Sequence, residues 1–381
     1  MKRFFYVGLL SLALIEFLRV YFIMPMPGSQ ESDTLDIAYF LHNYRWAFRL
    51  FFILITLSGL SYIIHAKKII WPIIISLISI GIIYLFNFKL TAEQMFKEPE
   101  NLVFKGVAEN KVNAEQQALL VVQNNEAKAY PIEYLAYHHQ VRDQVAGKNI
   151  MVTYCNVCRT GRVFEPVVIG KADDFRLVGM DRYNAMFEDS RTKSWWRQAS
   201  GEAVAGPLKG KVLPEILTQQ LSIRQIFELY PHALIMQADE LFLPRYDSLF
   251  LFEQGLRQSK LTGTDTNSWN EKSWVVGIKI GKESKAYDWN RLKQERIIND
   301  AIAGVPLVLI LLDDDKSFLA FQRPDENFNF SFADGQLKSG AFNFNLKGES
   351  LGAATKSLKP ILAYQEFWHS WQTFQPETQK Y

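Results

Sequence analysis

Two cysteines separated by two residues are the part of this 381-residue chain best suited to chemistry. Cys155 and Cys158 are its only cysteines, so they cannot form the set of disulfides that holds small secreted proteins together. As thiolates they would bind a soft metal ion, and as a pair they would interconvert with a disulfide. The sequence therefore leaves three alternatives: a metal site, a thiol redox or thiol-dependent enzyme site, and a structural turn.

The segments on either side of the pair predict a β-hairpin. Residues 150–154 and 162–169 have the composition of strands, and Gly161 is expected to complete the turn between them. A thioredoxin-like pair has its first cysteine at the start of a helix, and no helix is predicted here. Arg159 and Arg162 would stabilise a thiolate by their charge instead. A turn with both sulfurs in one loop is typical of a metal site.

A metal held by the two cysteines needs further ligands. We expect copper or zinc as the cofactor, because thiolates favour both metals. A structural zinc takes four ligands, so His138 or His139 of the predicted helix, or a residue of the second repeat, must complete it. Cu(I) accepts two or three ligands. Cys155 and Cys158 are therefore the predicted thiolate ligands, and the residues leave the further ligand open.

An internal repeat offers a comparison for the cysteine turn. A shift of 157 residues places residues 126–130 (EAKAY) on residues 283–287 (ESKAY), and similarity continues through the following hairpin. Leu312 and Asp315 then stand where the cysteines would be. The hairpin itself does not require cysteine, and this favours a specialised site in the first copy.

The repeat also predicts the fold class. Each copy has the pattern strand, turn, strand, short helix, then hairpin, so an α+β domain rich in strands is expected. We place the two tandem repeats at about 115–235 and 272–381, within a domain that spans residues 89–381.

The residues before position 90 are much more apolar than the rest and predict a transmembrane region at 1–88. Its three helices, each long enough to cross the ~30 Å hydrocarbon core, are expected at about 4–24, 46–66 and 69–88. Glu16 and Arg19 lie three residues apart in the first helix, where we expect them to pair.

Basic residues at one end of these helices predict the orientation. Lys67 and Lys68 join the last two spans, and together with Lys2 and Arg3 they place that face in the cytoplasm. We therefore predict a multi-pass protein of the cytoplasmic (inner) membrane with its soluble domain on the extracytoplasmic, periplasmic side. Its expected partner is the lipid bilayer.

The overall charge argues against nucleic acid as a partner. Lysine and arginine number 42 against 40 aspartate and glutamate, a net charge of +2 that gives no electrostatic footprint for nucleic acid. The sequence contains no HExxH, GxSxG or GxGxxG pattern, so the commoner hydrolase and dinucleotide interpretations do not apply. A structural membrane scaffold remains the alternative to a metal or thiol site.

Residues spread over the soluble region together resemble a known family. They are Lys128-Ala129-Tyr130-Pro131, His138, Asp143, Thr153-Tyr154-Cys155, Cys158, Gly179, Asn184, Met186, Ser194, Trp196, Gln198, Gly201-Glu202-Ala203, Gly206-Pro207-Leu208, Phe367-Trp368 and Trp371. On these positions the chain resembles the bacterial domain of unknown function 3179 family.

The resemblance implies sites rather than a reaction, because the family carries no assigned activity. It implies that Cys155, Cys158 and His138 form the site, and the implied pocket residues are Asn184, Trp196 and Gln198. Family members often have Cys-Pro-x-Cys-Gly at the cysteine turn, where this chain has Asn156 and Arg159.

Overall fold

A computed structural model of the chain describes residues 1–64, 69–352 and 357–381. These residues form two compact units. The first contains residues 1–97, 173–197 and 202–212, and the second contains residues 98–172, 198–201 and 213–381. The first unit therefore combines the N-terminal helices with strands from the middle of the chain.

The α-helices are short except for those in the N-terminal region. In chain order they are α1 (Lys2–Tyr21), α2 (Leu35–Asn43), α3 (Arg45–Ser58), α4 (Ser61–Ile64), α5 (Ile70–Phe88), α6 (Ala92–Met95), α7 (Ile132–His138), α8 (Ile223–Leu229), α9 (Leu243–Tyr246), α10 (Leu249–Glu253), α11 (Trp289–Glu295) and α12 (Trp368–Phe374). A 3₁₀ turn covers Glu240–Phe242.

Three helical segments of the first unit have the length and composition to cross a membrane: Lys2–Tyr21, Arg45–Ile63 and Ile70–Phe88. Their bounds agree with the predicted spans to within a few residues. The turn predicted at Lys67 and Lys68 lies outside the described residues.

Helices α1, α3 and α5 are joined by a polar cluster inside an otherwise apolar bundle. Glu16 lies 3.0 Å from Arg19 of its own helix, as the spacing predicts, and also 2.5 Å from Arg49 of α3. Asn87 of α5 donates a hydrogen bond to Glu16 at 2.9 Å. At Gly8 of α1 an added Cβ would lie 2.4 Å from the Thr56 hydroxyl, so α1 and α3 need glycine there to pack this closely.

The strands begin after the helical region. In chain order they are β1 (Phe104–Lys105), β2 (Gln117–Gln123), β3 (Glu126–Pro131), β4 (Gln140–Val145), β5 (Lys148–Cys155), β6 (Thr160–Phe164), β7 (Val167–Val168), β8 (Lys171–Ala172), β9 (Phe175–Asp181), β10 (Asn184–Asp189), β11 (Trp195–Arg197), β12 (Ala203–Ala205), β13 (Thr218–Ser222), β14 (Leu234–Met236), β15 (Trp274–Ile280), β16 (Glu283–Asp288), β17 (Ile297–Ile302), β18 (Val305–Leu311), β19 (Phe318–Gln322), β20 (Ser331–Ala333), β21 (Gln336–Ser339), β22 (Phe342–Phe344), β23 (Lys359–Pro360), β24 (Ala363–Phe367) and β25 (Gln379–Lys380).

The first unit contains one antiparallel sheet in the order β12-β11-β10-β9. Its apolar face packs on α2 and on the residues that follow α1, in a core that includes Ile23, Ala38, Met186 and Trp195. The backbone of Ile23 accepts a hydrogen bond from Met180 at 2.7 Å. An added Cβ at Gly179 would lie 2.2 Å from the Ile23 carbonyl oxygen, so this strand reaches the helical segment only with glycine there.

The second unit is built from antiparallel and mixed sheets. A nine-stranded sheet has the order β1-β14-β3-β2-β13-β19-β18-β17, with β23 beside β19. Smaller sheets have the orders β24-β15-β16-β25, β4-β5-β6, β20-β21-β22 and β7-β8. The fold class is therefore α+β, with N-terminal helices followed by a strand-rich region, as predicted.

One order of elements occurs twice in the second unit. The series β2-β3-α7-β4-β5-β6 is followed later by β13-α8-β14, and the series β15-β16-α11-β17-β18-β19 is followed by β24-α12-β25. In each, the later strand pairs antiparallel with the first strand, and the last strand pairs parallel with the second.

The same side-chain contacts also occur in both series. In the first, Asp143 lies 3.0 Å from Lys128 and accepts a hydrogen bond from Tyr130 at 2.7 Å. The second set, at the same spacing along the chain, has Lys285 at 2.7 Å and Tyr287 at 2.9 Å from Asp300.

Candidate functional site

The two cysteines lie at the turn that joins β5 to β6. Cys155 is the last residue of β5 and pairs with Thr160, and Cys158 lies inside the turn. Both side chains are 0% exposed, and they are not joined in a disulfide. The predicted hairpin is present with its cysteines at the expected positions.

The residue that closes the turn differs from the prediction. Arg159 has the left-handed backbone conformation, with φ 55°, and its N–H donates to the Asn156 carbonyl at 3.3 Å. Gly161 lies within β6 instead, where an added Cβ would come 2.5 Å from the Leu119 side chain. Gly161 therefore packs closely against Leu119 and does not form the turn.

The arginine charges near the cysteines are held by other partners. The buried Arg159 guanidinium donates to the carbonyls of Phe252 at 3.0 Å and Glu253 at 2.7 Å, and lies 3.8 Å from the Trp274 ring. Arg162 lies 2.5 Å from the buried Glu366 carboxylate. These contacts anchor the hairpin to the segments around β15 and β24.

A lysine distant in sequence lies against the cysteine turn. Lys272 donates to the Val157 carbonyl at 2.9 Å and to the Leu261 carbonyl at 2.6 Å. Burial lowers the pKa of its ammonium to about 8, while the neighbouring thiols of Cys158 and Cys155 act in the opposite direction. Because a thiolate is the reactive form of cysteine, a cation in this position stabilises that form on either sulfur.

A histidine lies close to this lysine. His369 Nδ1 is 3.1 Å from the Glu271 carbonyl oxygen, which can only accept, so Nδ1 carries the proton. Burial, together with the charge of Lys272, lowers the pKa of the imidazole to about 4. His369 is therefore neutral at pH 7.

A depression of about 670 Å³ lies beside the cysteine turn. It is lined by Arg257, Gln258, Ser259, Gly263, Thr264, Asp265, Asn270, Glu271 and Lys272. Lys272 thus contacts both this depression and the turn that carries the thiols. A molecule bound in this depression would therefore lie next to the lysine that contacts the cysteine turn.

The predicted site residues are only partly brought together. Gln198 donates to Thr153 at 3.3 Å and to the Thr160 carbonyl at 3.1 Å, so it supports the cysteine hairpin. His138 lies with its Nε2 2.6 Å from the Tyr246 hydroxyl, among aromatic rings. Among the described residues, no group of three or more histidine, cysteine, aspartate or glutamate side chains could hold a metal ion.

The other two predicted pocket residues belong to the first unit. Asn184 begins β10 and is fully buried. Trp196 in β11 donates through Nε1 to Asp189 at 2.9 Å, which is the contact of a core residue. Neither residue lines the cavity that the first unit contains.

Sequence reasoning missed Lys272 and His369. Neither belongs to a motif, and both are more than 100 positions from the cysteines in the chain. The available signal was the composition around Lys272, a charged residue between Trp269 and Trp274. Such a pattern suggests burial but does not identify what the lysine contacts.

The fold and site define a class: a protein with an N-terminal helical region and a strand-rich α+β region that holds a buried dithiol. The family model described as "Protein of unknown function (DUF3179)" matches residues 100–378. The match covers most of the chain, so the protein belongs to this family, and the resemblance seen in the sequence is confirmed. No curated protein and no solved structure matches the chain.

Proposed function

We propose that this is a multi-pass protein of the cytoplasmic membrane with residues 89–381 on the extracytoplasmic side. Three helical segments of 19 to 20 residues support this, because each is long enough for the ~30 Å hydrocarbon core. The basic residues Lys2, Arg3, Lys67 and Lys68 mark the cytoplasmic face under the positive-inside rule. The lipid bilayer is the partner of the N-terminal region.

The strand-rich region arose by duplication of one unit of about 120 residues. The recurring order of elements supports this, as do the two lysine–aspartate–tyrosine sets at Asp143 and Asp300. The same left-handed conformation also follows the helix in both series, at His139 and Arg296. The two copies now differ at the turn, which carries the cysteines in the first copy and Asp313, Asp314 and Asp315 in the second.

The first copy acts as a thiol–disulfide exchange site. The observation that carries this proposal is Lys272, whose partly buried ammonium is bonded to the turn that carries both thiols. A cation stabilises the thiolate, which is the form of cysteine that attacks a disulfide.

The exchange reaction balances with a disulfide of a second protein or small molecule as the oxidant. One thiolate attacks that disulfide, forms a mixed disulfide and releases the other substrate sulfur as a thiolate that takes up a proton. The second cysteine loses its proton and attacks the mixed disulfide, which releases the remaining substrate sulfur. Two electrons pass to the substrate, and Cys155 and Cys158 become a disulfide.

Mass measurement on the full chain in detergent tests this proposal. We expect oxidised glutathione to convert the chain to a form two hydrogens lighter, and a dithiol to reverse the change. The single variants Cys155→Ser and Cys158→Ser should stop at the mixed disulfide with glutathione. A folded chain whose mass and alkylation do not change with glutathione would contradict an exchange function and leave the turn with a structural role.

Lys272→Met separates an activated thiol from a merely buried one. We expect its reaction with iodoacetamide at pH 7 to be about tenfold slower, which corresponds to the loss of one charge interaction. Lys272→Arg should keep most of the rate, and Lys279→Met, which removes an exposed lysine of β15, should keep all of it. Equal rates in Lys272→Met and the wild type would remove the lysine from the mechanism.

Binding of Cu(I) is the second candidate function. Of the two predicted metals, copper and zinc, it is the one proposed here. The two sulfurs lie in one buried turn, and two thiolates are enough for Cu(I). A structural zinc needs four ligands, and His138 is bonded to Tyr246. Native mass spectrometry of the full chain, isolated without chelator, should then show one copper that is absent from Cys155→Ser/Cys158→Ser. A metal-free chain after incubation with Cu(I) would contradict this candidate.

A further inference from the structure

A cavity of about 520 Å³ lies in the first unit, where its three apolar helices end or begin. Arg19 near the end of α1, Arg45 and Trp46 at the start of α3 and Asn87 near the end of α5 all line it. Strands β9 and β10 close another side of the cavity. Its volume is in the range of small-molecule binding sites.

The charges that line this cavity are unequal. Four cations face two carboxylates: Arg19, Arg45, Arg176 and Lys193 against Glu93 and Glu188. Both carboxylates are bound by Arg176, at 3.1 Å to Glu93 and 2.8 Å to Glu188. An anionic ligand would therefore reach a cationic side chain of this cavity without displacing Glu93 or Glu188.

Two of the cations lack a carboxylate partner among the residues that the structure describes. Arg45 donates only to the His42 carbonyl, at 2.6 Å, and Lys193 is exposed. Arg19 is bound to Glu16, but its Nε, which is buried, has no hydrogen-bond partner within the described chain. The cavity therefore holds donors and positive charge that the protein itself does not use.

His42 provides a further polar group in the cavity wall. Its Nε2 lies 3.2 Å from Arg176 Nη2 and 3.5 Å from the Glu188 carboxylate, so this ring nitrogen is already engaged by the protein. His42 is 8% exposed, and its Nδ1 has no hydrogen-bond partner in the described residues. A buried ring nitrogen without a partner is costly unless a ligand or water bonds to it.

We propose that this cavity binds a phosphate group and that its source is the headgroup of an anionic membrane phospholipid. The lipid source follows from position, since the cavity lies at the ends of the three candidate spans and Trp46 on its wall is 68% exposed. Tryptophan at the membrane surface is typical of lipid contacts. The inference rests on the proposed membrane placement and not on the thiol site.

The test uses the full chain, delipidated in detergent, and native mass spectrometry with three probes. They are phosphatidylglycerol, diacylglycerol with the same acyl chains, and inorganic phosphate. The variant Arg45→Gln/Lys193→Gln removes the two unpaired cations. The control Arg182→Gln/Lys211→Gln removes the same residue types from other positions of the same unit, outside the cavity.

We expect phosphatidylglycerol to bind the wild type and the control equally, and to bind the cavity variant at least about tenfold more weakly. Diacylglycerol should bind none of them measurably. Equal phosphatidylglycerol affinity in the two variants, or diacylglycerol binding as tight as that of phosphatidylglycerol, would overturn the proposal. Binding of inorganic phosphate without phosphatidylglycerol would contradict the lipid as the source.

A separate measurement tests the membrane placement on which the lipid site rests. Extraction of membranes with alkaline carbonate should leave the chain in the pellet if its helices span the bilayer. A chain released by carbonate contradicts membrane placement whatever the lipid measurements show. A chain retained by carbonate that fails the phosphatidylglycerol comparison contradicts only the lipid site.

Discussion

Two hairpins of the second unit enclose the same number of residues between equivalent strand pairs but differ in chemistry. Six residues lie between the paired Tyr154 and Gly161, where the strands add one more pair at Cys155 and Thr160, and in the second turn six lie between the paired Leu311 and Phe318. The left-handed residue is the fifth of six in the cysteine turn, Arg159, and the fourth of six in the other. The cysteine turn is thus a different loop conformation on the same strand frame.

The second turn satisfies its polar groups by itself. Asp314 accepts hydrogen bonds from the backbone and hydroxyl of Ser317, at 2.8 and 2.6 Å. Burial raises the pKa of Asp314, but these bonds outweigh it and lower the pKa below its usual value. Ser317 in turn accepts from the Ser222 backbone at 2.7 Å, so one hydroxyl joins this turn to β13.

A lysine bonds to a backbone carbonyl at both turns, but from opposite sides. Lys316 lies in the second turn and donates to the Glu115 carbonyl just before β2, at 2.9 Å. Lys272 lies just before β15 and donates to the Val157 carbonyl inside the cysteine turn. Of these two lysines, only Lys272 places its ammonium beside the interior residues of a turn that it does not belong to. Both hairpins are therefore joined to a neighbouring segment by a lysine bond, and they differ in the thiols and in which segment carries the lysine.

The largest expected effect comes from the buried ion pair that anchors the cysteine turn. Glu366→Gln keeps the size of the side chain but removes the nearer carboxylate of the buried Arg162, which leaves only Glu215 at 3.9 Å to balance that charge. We expect a loss of about 3 to 5 kcal/mol in the free energy of unfolding, measured by urea denaturation of the full chain in detergent.

Glu295→Gln provides the control for that measurement. Glu295 pairs with Arg291 on the surface at 2.6 Å, and such exposed pairs contribute about 1 kcal/mol or less. If the two variants lose the same stability, the cysteine turn is not held more strongly than the exposed surface of α11.

A smaller effect is expected in the pH dependence of stability. Glu253 lies under the cysteine turn, where Gln117 donates to it at 2.6 Å, and burial raises its pKa to about 7. The folded state therefore holds a proton that the unfolded state releases above about pH 4.5, and stability falls as the pH rises from 4.5 to 7. Glu253→Gln should be more stable than the wild type by about 2 to 3 kcal/mol at pH 8 and similar to it at pH 4.5.

Urea denaturation at both pH values checks this expectation against a surface control. His139 and His369, with pKa values lowered to about 4 by burial, give the opposite trend, because stability is lost as the pH falls from 6.5 to 4. The difference between Glu253→Gln and the exposed control Glu109→Gln isolates the glutamate. The same difference at pH 4.5 and pH 8 would show that the pKa of Glu253 is not raised by folding, and would contradict the expectation.

The sequence was sufficient for features that depend on neighbours along the chain. Apolar length marked the three long helices, and strand-like composition on both sides of the cysteines marked the hairpin of β5 and β6. The repeated EAKAY and ESKAY segments, separated by 157 residues, correspond to β3 and β16. Each of these signals lies within one element, so no tertiary information was needed.

The features that were missed depend on contacts between distant segments. Lys272 reaches the cysteine turn from over 100 residues away, and no motif marks it. The hydrogen bond between His138 and Tyr246 likewise joins segments far apart in the chain, and the sequence gives no sign of it. Strands β9–β12 belong to the same compact unit as the N-terminal helices because Gly179 admits the Ile23 backbone, which no pattern in the sequence indicates.

The smallest expected effect is at the left-handed residue of the second turn, Asp315. Its exposed carboxylate is paired with Arg296, and its φ is 58°. Asp315→Gly relieves the backbone by up to about 1 kcal/mol and loses a surface ion pair of similar or smaller value. We therefore expect the free energy of unfolding to change by less than about 0.5 kcal/mol. A loss above about 2 kcal/mol would show that this turn depends on a side chain at its left-handed position, as the cysteine turn depends on Arg159, and the two turns would then differ less than their contacts indicate.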